Sequence, residues 1–430
     1  MRPPRPSVPA PLRHSAFRKL WSATTLAALG DAISSVALPL AAIEVLGADA
    51  VQSAVLSAVI WLPSLFLAIP AGSFADRTGH HRRLLAGANL LRVAALSTVP
   101  IATAFGLLSL IQLAVILAVI GLCSVLSNVS ESGLFATTLP SELYVAGQAA
   151  SYTGQTAAIL AGPSLGGLLV QLAGVPAAVG VDSATAVTAA LFLLRLRPVE
   201  RRHEPGTPEN RDRRTGLAFI RRNPLIRTAL AVTATGNFFN MLFLSVLVWY
   251  YVHKLSLTSA QIGFVFSVQA IGGLVGAALA SRLARRIGLG RMLLVGCVVS
   301  HAPLLVIPAV GATGSLVFAL VLASTLLGGV GESVQDISVG SVFALVVPPH
   351  LRSQTRGAYQ TVSFGLRPLG SVTGALIAAT AGIPVALWVG AIGGTLACLW
   401  LLPSRLLSFR GQDDPSEQSE QPESATALSQ

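Results

Sequence analysis

Residues 72–83 read Gly-Ser-Phe-Ala-Asp-Arg-Thr-Gly-His-His-Arg-Arg and lie between two long apolar runs. A second polar break, Ser-Arg-Leu-Ala-Arg-Arg-Ile-Gly-Leu-Gly-Arg at residues 281–291, also lies between apolar runs. Gly288 follows Gly79 by 209 positions, and other landmarks recur at nearly the same offset: Gln52 with Gln261, Phe135-Ala136 with Phe343-Ala344, Pro140 with Pro348, and Gly30-Asp31 with Gly236-Asn237. This recurrence predicts a chain built from two related halves.

The composition predicts a membrane protein. Mean hydropathy is +0.70, and only 11% of the 430 residues are charged. A soluble chain of this length needs much more polar surface. The apolar runs are long enough for helical spans of ~20 residues, and they lack the alternation of an outer-membrane barrel. We therefore expect an all-α membrane protein with twelve transmembrane helices in two pseudo-symmetric six-helix bundles.

The expected spans follow from the apolar runs. They cover about 20–46, 51–74, 84–105, 108–135, 147–172, 175–195, 226–252, 259–281, 292–310, 314–344, 358–380 and 384–404. The resulting organisation is a cytoplasmic N-terminus (1–19), an N-terminal bundle (20–195), a cytoplasmic linker (196–225), a C-terminal bundle (226–404) and a disordered cytoplasmic tail (405–430). A short amphipathic stretch is expected within the linker at 215–223.

The basic residues indicate the orientation of the chain. Of the 29 Lys and Arg, 26 fall in the termini and alternate loops on one side, and only Lys254 falls on the other. The positive-inside rule then predicts that both termini lie in the cytoplasm. The expected location is the inner or plasma membrane of the cell. This asymmetry also explains the net charge of +11, so no nucleic-acid partner is expected. The partners predicted are the lipid bilayer, protons and a small-molecule substrate, for a functional monomer.

Enzyme chemistry has no support in the sequence. Cys123, Cys297 and Cys398 fall inside apolar spans without metal-ligand spacing. No nucleophile–base pair or soluble catalytic domain is recognisable. We expect no metal, no cofactor and no enzymatic activity.

The polar segment quoted first resembles the signature of the major facilitator superfamily, and the resemblance extends over about residues 18–405. Its residues are Gly72, Asp76, Arg77, Gly79, Arg82 and Arg83. In that superfamily this loop between helices 2 and 3 closes the cytoplasmic side, so the resemblance implies a conformational gate. Arg285 stands in the second half where Asp76 stands in the first, which implies an asymmetric gate.

The fifth span carries a run of small residues around a proline: Gly162, Pro163, Gly166 and Gly167. It resembles a motif of proton-coupled exporters in the superfamily, with Ala158 in place of the first glycine. Ordinary packing of small residues is the alternative, because such spacing is common in membrane helices.

The segments at 139–143 and 347–351 resemble a subgroup that includes macrolide efflux proteins and the enterobactin exporter. The Arg expected in helix 4 of many drug–proton antiporters is missing, which puts arginine-assisted proton exchange on that helix in doubt.

Ionisable residues inside spans cost about 2.5–3.5 kcal/mol on insertion scales, so each one needs a reason. Asp31 lies near the middle of helix 1, where it could carry a proton, bind a cationic substrate or make a structural hydrogen bond. Glu332 and Asp336 are four residues apart on helix 10 and share one face. Close together in a cavity they would not both ionise easily, which suits a proton carrier, whereas in a wide aqueous vestibule they would titrate normally. Glu131 on helix 4 is a weaker candidate.

Arg367 lies near the midplane on helix 11 and is followed by Pro368. The acidic pair on helix 10 or an anionic substrate group could be its partner. Arg92 and Asp182 lie on helices expected to be peripheral, which favours a structural pair or snorkelling, and His301 is expected to be a hydrogen-bonded packing residue. The candidate substrate contacts are Trp61, Asn237, Asn240, Gln269 and Gln335. Trp61 could face either lipid or a cavity.

Together these features predict a secondary transporter, a proton-coupled exporter of amphipathic organic compounds such as a drug, an antibiotic, a siderophore or another secondary metabolite. Two bundles would rock about a cavity at the midplane. An uptake symporter for a small polar solute on the same fold is the alternative.

Overall fold

The structure is a computed structural model. It describes residues 10–67, 74, 78, 80–140, 143–196, 213–310, 314–348 and 351–409. Within these residues, eleven helical segments are long and apolar enough to cross a membrane. One of them, Ala146–Leu194, has 49 residues and contains two of the predicted spans.

The helices of the first half are α1 Ser15–Leu40, α2 Ala50–Val59, α3 His81–Ala104, α4 Leu110–Thr138, and α5 and α6, which together form Tyr144–Leu194. A π-helical turn, Ala41–Val45, continues α1, and the apolar helical segment that begins with α2 extends to Leu67. Gly174, with φ 78° and ψ 170°, separates α5 (144–173) from α6 (175–194). A side chain would be strained at this φ, so glycine permits the sharp turn.

The helices of the second half are α7 Pro224–His253, α8 Ser259–Ile287, α9 Leu289–His301, α10 Ser315–Val346, α11 Arg352–Ala381 and α12 Ile383–Leu396. The span of α9 continues to Ala309 through a 3₁₀ turn that contains Pro303. The span of α12 continues as a 3₁₀ helix, Ala397–Leu401. A linker helix, Arg213–Arg222, precedes α7 and confirms the amphipathic stretch expected there.

The two halves repeat local structure as well as sequence. Asp49 and Gln52 form a capping box at the start of α2, and Thr258 and Gln261 form the same motif at the start of α8. Gly382, 208 positions after Gly174, has nearly the same conformation, with φ 94° and ψ 160°. The duplication predicted from the offsets is therefore visible in helix caps and turns.

The all-helical fold with membrane-length helices confirms the predicted class.

The end at which α1 and α3 begin and α4 and α6 end is called the basic end. Here Lys19 donates to the Arg195 carbonyl at 2.9 Å, and Arg82 donates to the Leu196 carbonyl at 2.8 Å. The halves pack through α5 against α8 and through α2 against α7 and α11. The tail beyond residue 409 lies outside the described residues.

Candidate functional site

A cavity of about 760 Å³ lies between the two halves, and is called the central cavity. It runs from Leu85 and Leu193, near the basic end, to Ser35 and Pro163 further along their helices. Small and apolar side chains form much of its wall. Its charged lining residues are Asp31, Arg92, Glu131, Glu332 and Asp336. Carboxylates therefore outnumber cations four to one along its described wall.

Arg92 of α3 joins two carboxylates in the first half. Its guanidinium forms ion pairs with Asp31 of α1 and, at 2.7 Å, with Asp182 of α6. Ser34 also donates to Asp182, and a side chain at Gly30 would clash with Asp182 and Thr185. The glycine thus lets α1 approach the buried acid. Of the two roles expected for Arg92, a structural pair or snorkelling, the structure contains the pair.

The two acids paired with Arg92 differ in accessibility. The Asp31 side chain is 52% exposed and lines the central cavity, whereas the Asp182 side chain is 1% exposed. Among the described residues, Oδ1 of Asp182 has no hydrogen-bond partner. Asp31 is therefore the acid of this cluster that a proton or a ligand in the cavity can reach.

The other cavity acids contact amides. Glu131 accepts a hydrogen bond from Gln155 at 3.3 Å, and Glu332 accepts one from Gln269 at 3.2 Å. Glu332 and Asp336 line the same wall, as their spacing on α10 predicts. Within the described part of the chain, neither forms an ion pair with a basic side chain. Among the described residues, these two carboxylates thus lack a direct ion pair, and Arg367 acts on them electrostatically from a longer distance.

Of the two partners considered for Arg367 of α11, the acidic pair on α10 acts on it only from a longer distance, and an anionic substrate group stays a prediction. Its Nε and Nη2 donate to Oδ1 of Asn237 at 3.1 and 3.0 Å. Its guanidinium carbon lies 4.5 Å from the centroid of the Trp61 ring and 4.3 Å from that of Phe364. The rings and the amide hold the cation. Trp61, in the segment that continues α2, thus links the first half to α11 of the second half. It lines neither the central cavity nor a second cavity that lies within the second half.

A second cavity, of about 350 Å³, lies within the second half and is called the C-half chamber. It shares Phe266, Gln269, Glu332 and Asp336 with the central cavity, so these residues form its mouth. Its other polar or ionisable lining residues are Thr233, Asn237, Asn240, Tyr251, Ser300, His301, Thr325, Gln335 and Arg367. Most of the predicted substrate contacts therefore lie together in this chamber.

The small residues of α5 form a close contact between the halves. A side chain at Gly167 would meet the Ser259 carbonyl of α8, and one at Gly263 of α8 would meet the Pro163 carbonyl. Ser164 and Ser267 hydrogen-bond at 2.7 Å through their hydroxyls. Nearby, Ser259 donates to Glu44 at 2.8 Å. Gly162 and Gly166 instead face α1, at Ala32 and Ile33. The α5–α8 contact thus closes the cavity on the side away from the basic end.

Most of the predicted gating motif lies outside the described residues. Gly72, Asp76, Arg77 and Gly79 fall there, and Arg82 and Arg83 are described. Arg82 donates to the carbonyls of Leu194 and Leu196 at the end of α6. The described residues contain no cluster of three or more His, Cys, Asp or Glu that could hold a metal ion.

His301 is buried and hydrogen-bonded, as the sequence predicts, but its position in the wall of the C-half chamber was not predicted. Its Nδ1 lies 2.6 Å from the Ser300 hydroxyl, while its Nε2 has no partner among the described residues. The signal was available, because His301 follows Arg92 by 209 positions, the offset that relates Gly79 to Gly288.

Solved structures of low sequence identity share this fold. The nucleoside transporter NupG superposes with a TM-score of 0.70 at 14% identity, over 90% of this chain and 98% of that one. A bacterial homologue of the iron transporter ferroportin, in an inward-facing state, gives 0.72 at 18% identity over 91% and 98%. A bacterial homologue of the human lysosomal transporter Spinster gives 0.69 at 13% identity over 92% and 98%. No curated protein matches the sequence.

Two six-helix halves around an inter-half cavity share the fold of these solved structures. Together with a family match over residues 6–430, this fold makes the chain a membrane transporter of the major facilitator type rather than an enzyme. The matching family is described as transmembrane secretion effector, MFS_3, and the chain belongs to it.

Proposed function

We propose that the protein is a proton-coupled exporter of amphipathic organic compounds, and that compounds carrying a positive charge are preferred. The observation that carries this proposal is the lining of the central cavity. Its volume of about 760 Å³ suits a drug-sized molecule, and its wall is largely apolar. Four carboxylates face one guanidinium that is already paired with two acids. Such a site favours an organic cation over an anion.

Asp31 is the proposed proton carrier of the first half. Its carboxylate is half-exposed in the cavity and touches Arg92, which keeps a second acid, Asp182, when Asp31 is protonated. Protonation of Asp31 would thus not leave the guanidinium buried without a counter-ion. A proton on Asp31 lowers the negative charge of the cavity that binds the cationic substrate, so the two oppose each other's binding, and this coupling drives their movements in opposite directions. Glu131, Glu332 and Asp336 are the further candidates.

Export rather than uptake is supported by the fifth helix. Pro163 and Gly167 pack directly on α8, so the motif that resembles that of exporters lies at a contact between the halves. By the positive-inside rule, the basic end and the predicted gating motif face the cytoplasm. The membrane is then the inner or plasma membrane of the cell. In that orientation the central cavity is loaded from the cytoplasm.

Transport into everted membrane vesicles tests the direction. We expect an exporter to accumulate a cationic amphiphile such as ethidium when the lumen is acid, and to lose this accumulation when an ionophore collapses the pH gradient. Accumulation only in right-side-out vesicles would contradict export and favour the uptake symporter. A susceptibility panel comparing the intact protein with Asp31→Asn tests the carrier. Equal resistance from both would remove Asp31 from the mechanism.

A further inference from the structure

The C-half chamber occupies the position that the Arg92 cluster occupies in the first half. At the offset of 209, Arg92 corresponds to His301, and at the offset of 208 that relates Gly174 to Gly382, Asp182 corresponds to Gly390. Asp31 corresponds to Asn237, as the recurrence of Gly30-Asp31 shows. An ion-paired cluster in one half is thus replaced by an imidazole, an amide and a glycine in the other.

This replacement leaves space and unused hydrogen-bonding groups. Tyr251 is fully buried and His301 is 5% exposed, and both line the chamber. In the described part of the chain, neither the Tyr251 hydroxyl nor Nε2 of His301 has a hydrogen-bond partner. A buried polar group without a partner is costly, so such groups usually meet a ligand or water. Two of them in one cavity indicate a site for a polar group.

Apolar side chains form the rest of the chamber wall. They include Phe243, Leu247, Val265 and Leu304. The mouth carries Glu332 and Asp336, which form no direct ion pair with a basic side chain of the described residues. Arg367, the cation in the chamber wall, donates to Asn237, lies against two aromatic rings and acts on the two acids from a longer distance. The chamber therefore presents two carboxylates at its entrance, and inside it neutral hydrogen-bonding groups beside a guanidinium that Asn237 already engages.

We propose that the C-half chamber is a substrate subsite for an uncharged, hydrogen-bonding arm of an organic cation whose charged group lies at Glu332 and Asp336. The proposal rests on the proposed function, since it divides the substrate of that function between two cavities. Tyr251 and His301 select cations that carry such an arm. The central cavity alone accommodates cations that lack one.

Binding of two probes to the purified full-length protein distinguishes cations that carry a hydrogen-bonding arm from cations that lack one. Ethidium carries a positive charge and two aromatic amines, whereas tetraphenylphosphonium carries a positive charge and no hydrogen-bonding group. We expect Tyr251→Phe to lower the ratio of ethidium affinity to tetraphenylphosphonium affinity by about three- to tenfold, the effect of one hydrogen bond. Tyr250→Phe is the matched control, because Tyr250 donates to the Val310 carbonyl and does not line the chamber. It should leave the ratio unchanged.

Glycine positions allow each cavity to be filled separately. A Cβ at Gly236 would meet Gln335 and His301 at 3.8 and 3.9 Å, which is ordinary contact, so Gly236→Leu fills the chamber. Gly273 lines the central cavity and has nothing within 4 Å of a Cβ, so Gly273→Leu fills that cavity instead. Gly340→Leu, in open space and lining neither cavity, is the control.

We expect Gly236→Leu to lower the affinity ratio by about tenfold or more, and Gly273→Leu to weaken both probes. An unchanged ratio in both Gly236→Leu and Tyr251→Phe overturns the subsite while leaving the proposed function standing. Failure of the intact protein to bind either cation overturns the subsite as well. The proposed function then depends on vesicle uptake of other compounds, which is measured independently.

Discussion

At the residue scale, exposure separates two acids that share one arginine. Arg92 contacts both Asp31 and Asp182, but only Asp31 opens to the central cavity. Asp182 is fully buried, and its charge is compensated by Arg92 and Ser34. We infer that the two carboxylates have different roles, one in transport and one in stability.

Arg92→Met should lower the stability of the purified protein by about 3–5 kcal/mol, because it leaves Asp182 buried without its counter-ion. The melting temperature in detergent measures this loss. Adding Asp182→Asn to Arg92→Met should recover part of it, because the double variant no longer contains the unpaired charge. A melting temperature of Arg92→Met equal to that of the intact protein would contradict the pairing.

Asp31→Asn should behave in the opposite way. We expect a melting temperature within a few degrees of that of the intact protein, because the side chain is half-exposed. Proton-driven transport of ethidium should fall by at least about tenfold, since an amide cannot take up the proton. Asp182→Asn is the matched control, with lower stability and retained coupling in the folded fraction. Coupled transport at the intact rate in Asp31→Asn would show that another acid carries the proton.

The sequence predicted which residues would matter better than it predicted their partners. Asp31, Arg92 and Arg367 stand out because a charge inside a span is costly. Their partners depend on how each helix is rotated in the bundle, which hydrophobic runs do not specify. For this reason Asn237 and Trp61, which contact Arg367 directly, were not predicted as its partners. The C-half chamber is formed by side chains of four or more helices, and their convergence cannot be derived from any single position.

At the scale of elements, glycine decides how closely α5 and α8 approach. Backbone carbonyls of one helix touch the glycines of the other at Gly167 and Gly263. The boundary between α5 and α6 was predicted at residues 172–175, and the structure has the turn at Gly174. Predictions of this kind succeed because glycine and proline act locally on the backbone.

Gly263→Ala should force α5 and α8 apart, because its Cβ would overlap the Pro163 carbonyl, which is backbone and cannot turn aside. We expect slower transport and faster labelling by a thiol reagent at a cysteine introduced for Ser267. Gly180→Ala, on α6 with nothing within 4 Å of the new Cβ, is the control and should match the intact protein. Normal transport by Gly263→Ala would show that the tight contact is dispensable.

At the scale of the whole molecule, the halves meet on the side away from the basic end, and the central cavity extends towards that end. The twelve-span plan could be predicted from hydropathy and the internal offsets. The conformation could not, because the open and closed arrangements of one chain share the same apolar runs. In the arrangement seen here, alternating access requires the α5–α8 contact to separate.

A disulfide between cysteines at Ser164 and Ser267 should therefore stop transport. The two hydroxyls lie 2.7 Å apart, which brings the side chains within the range of a disulfide. We expect the oxidised double variant to bind ethidium from the basic end without transporting it, and a reductant to restore transport. Each single variant is the control. Undiminished transport by the fully oxidised protein would exclude separation at this contact.

The glycine contact between α5 and α8 also bears on the speed of the cycle. Interlocked side chains must change rotamers before two helices can part, and each change adds to the barrier. Where a carbonyl contacts the α-carbon of a glycine, no side-chain rotamer has to change before the helices separate. Separation of the helices then mainly exposes a narrow strip of backbone to water. The hydroxyls of Ser164 and Ser267, which lie at this contact, can hydrogen-bond the first water molecules that enter.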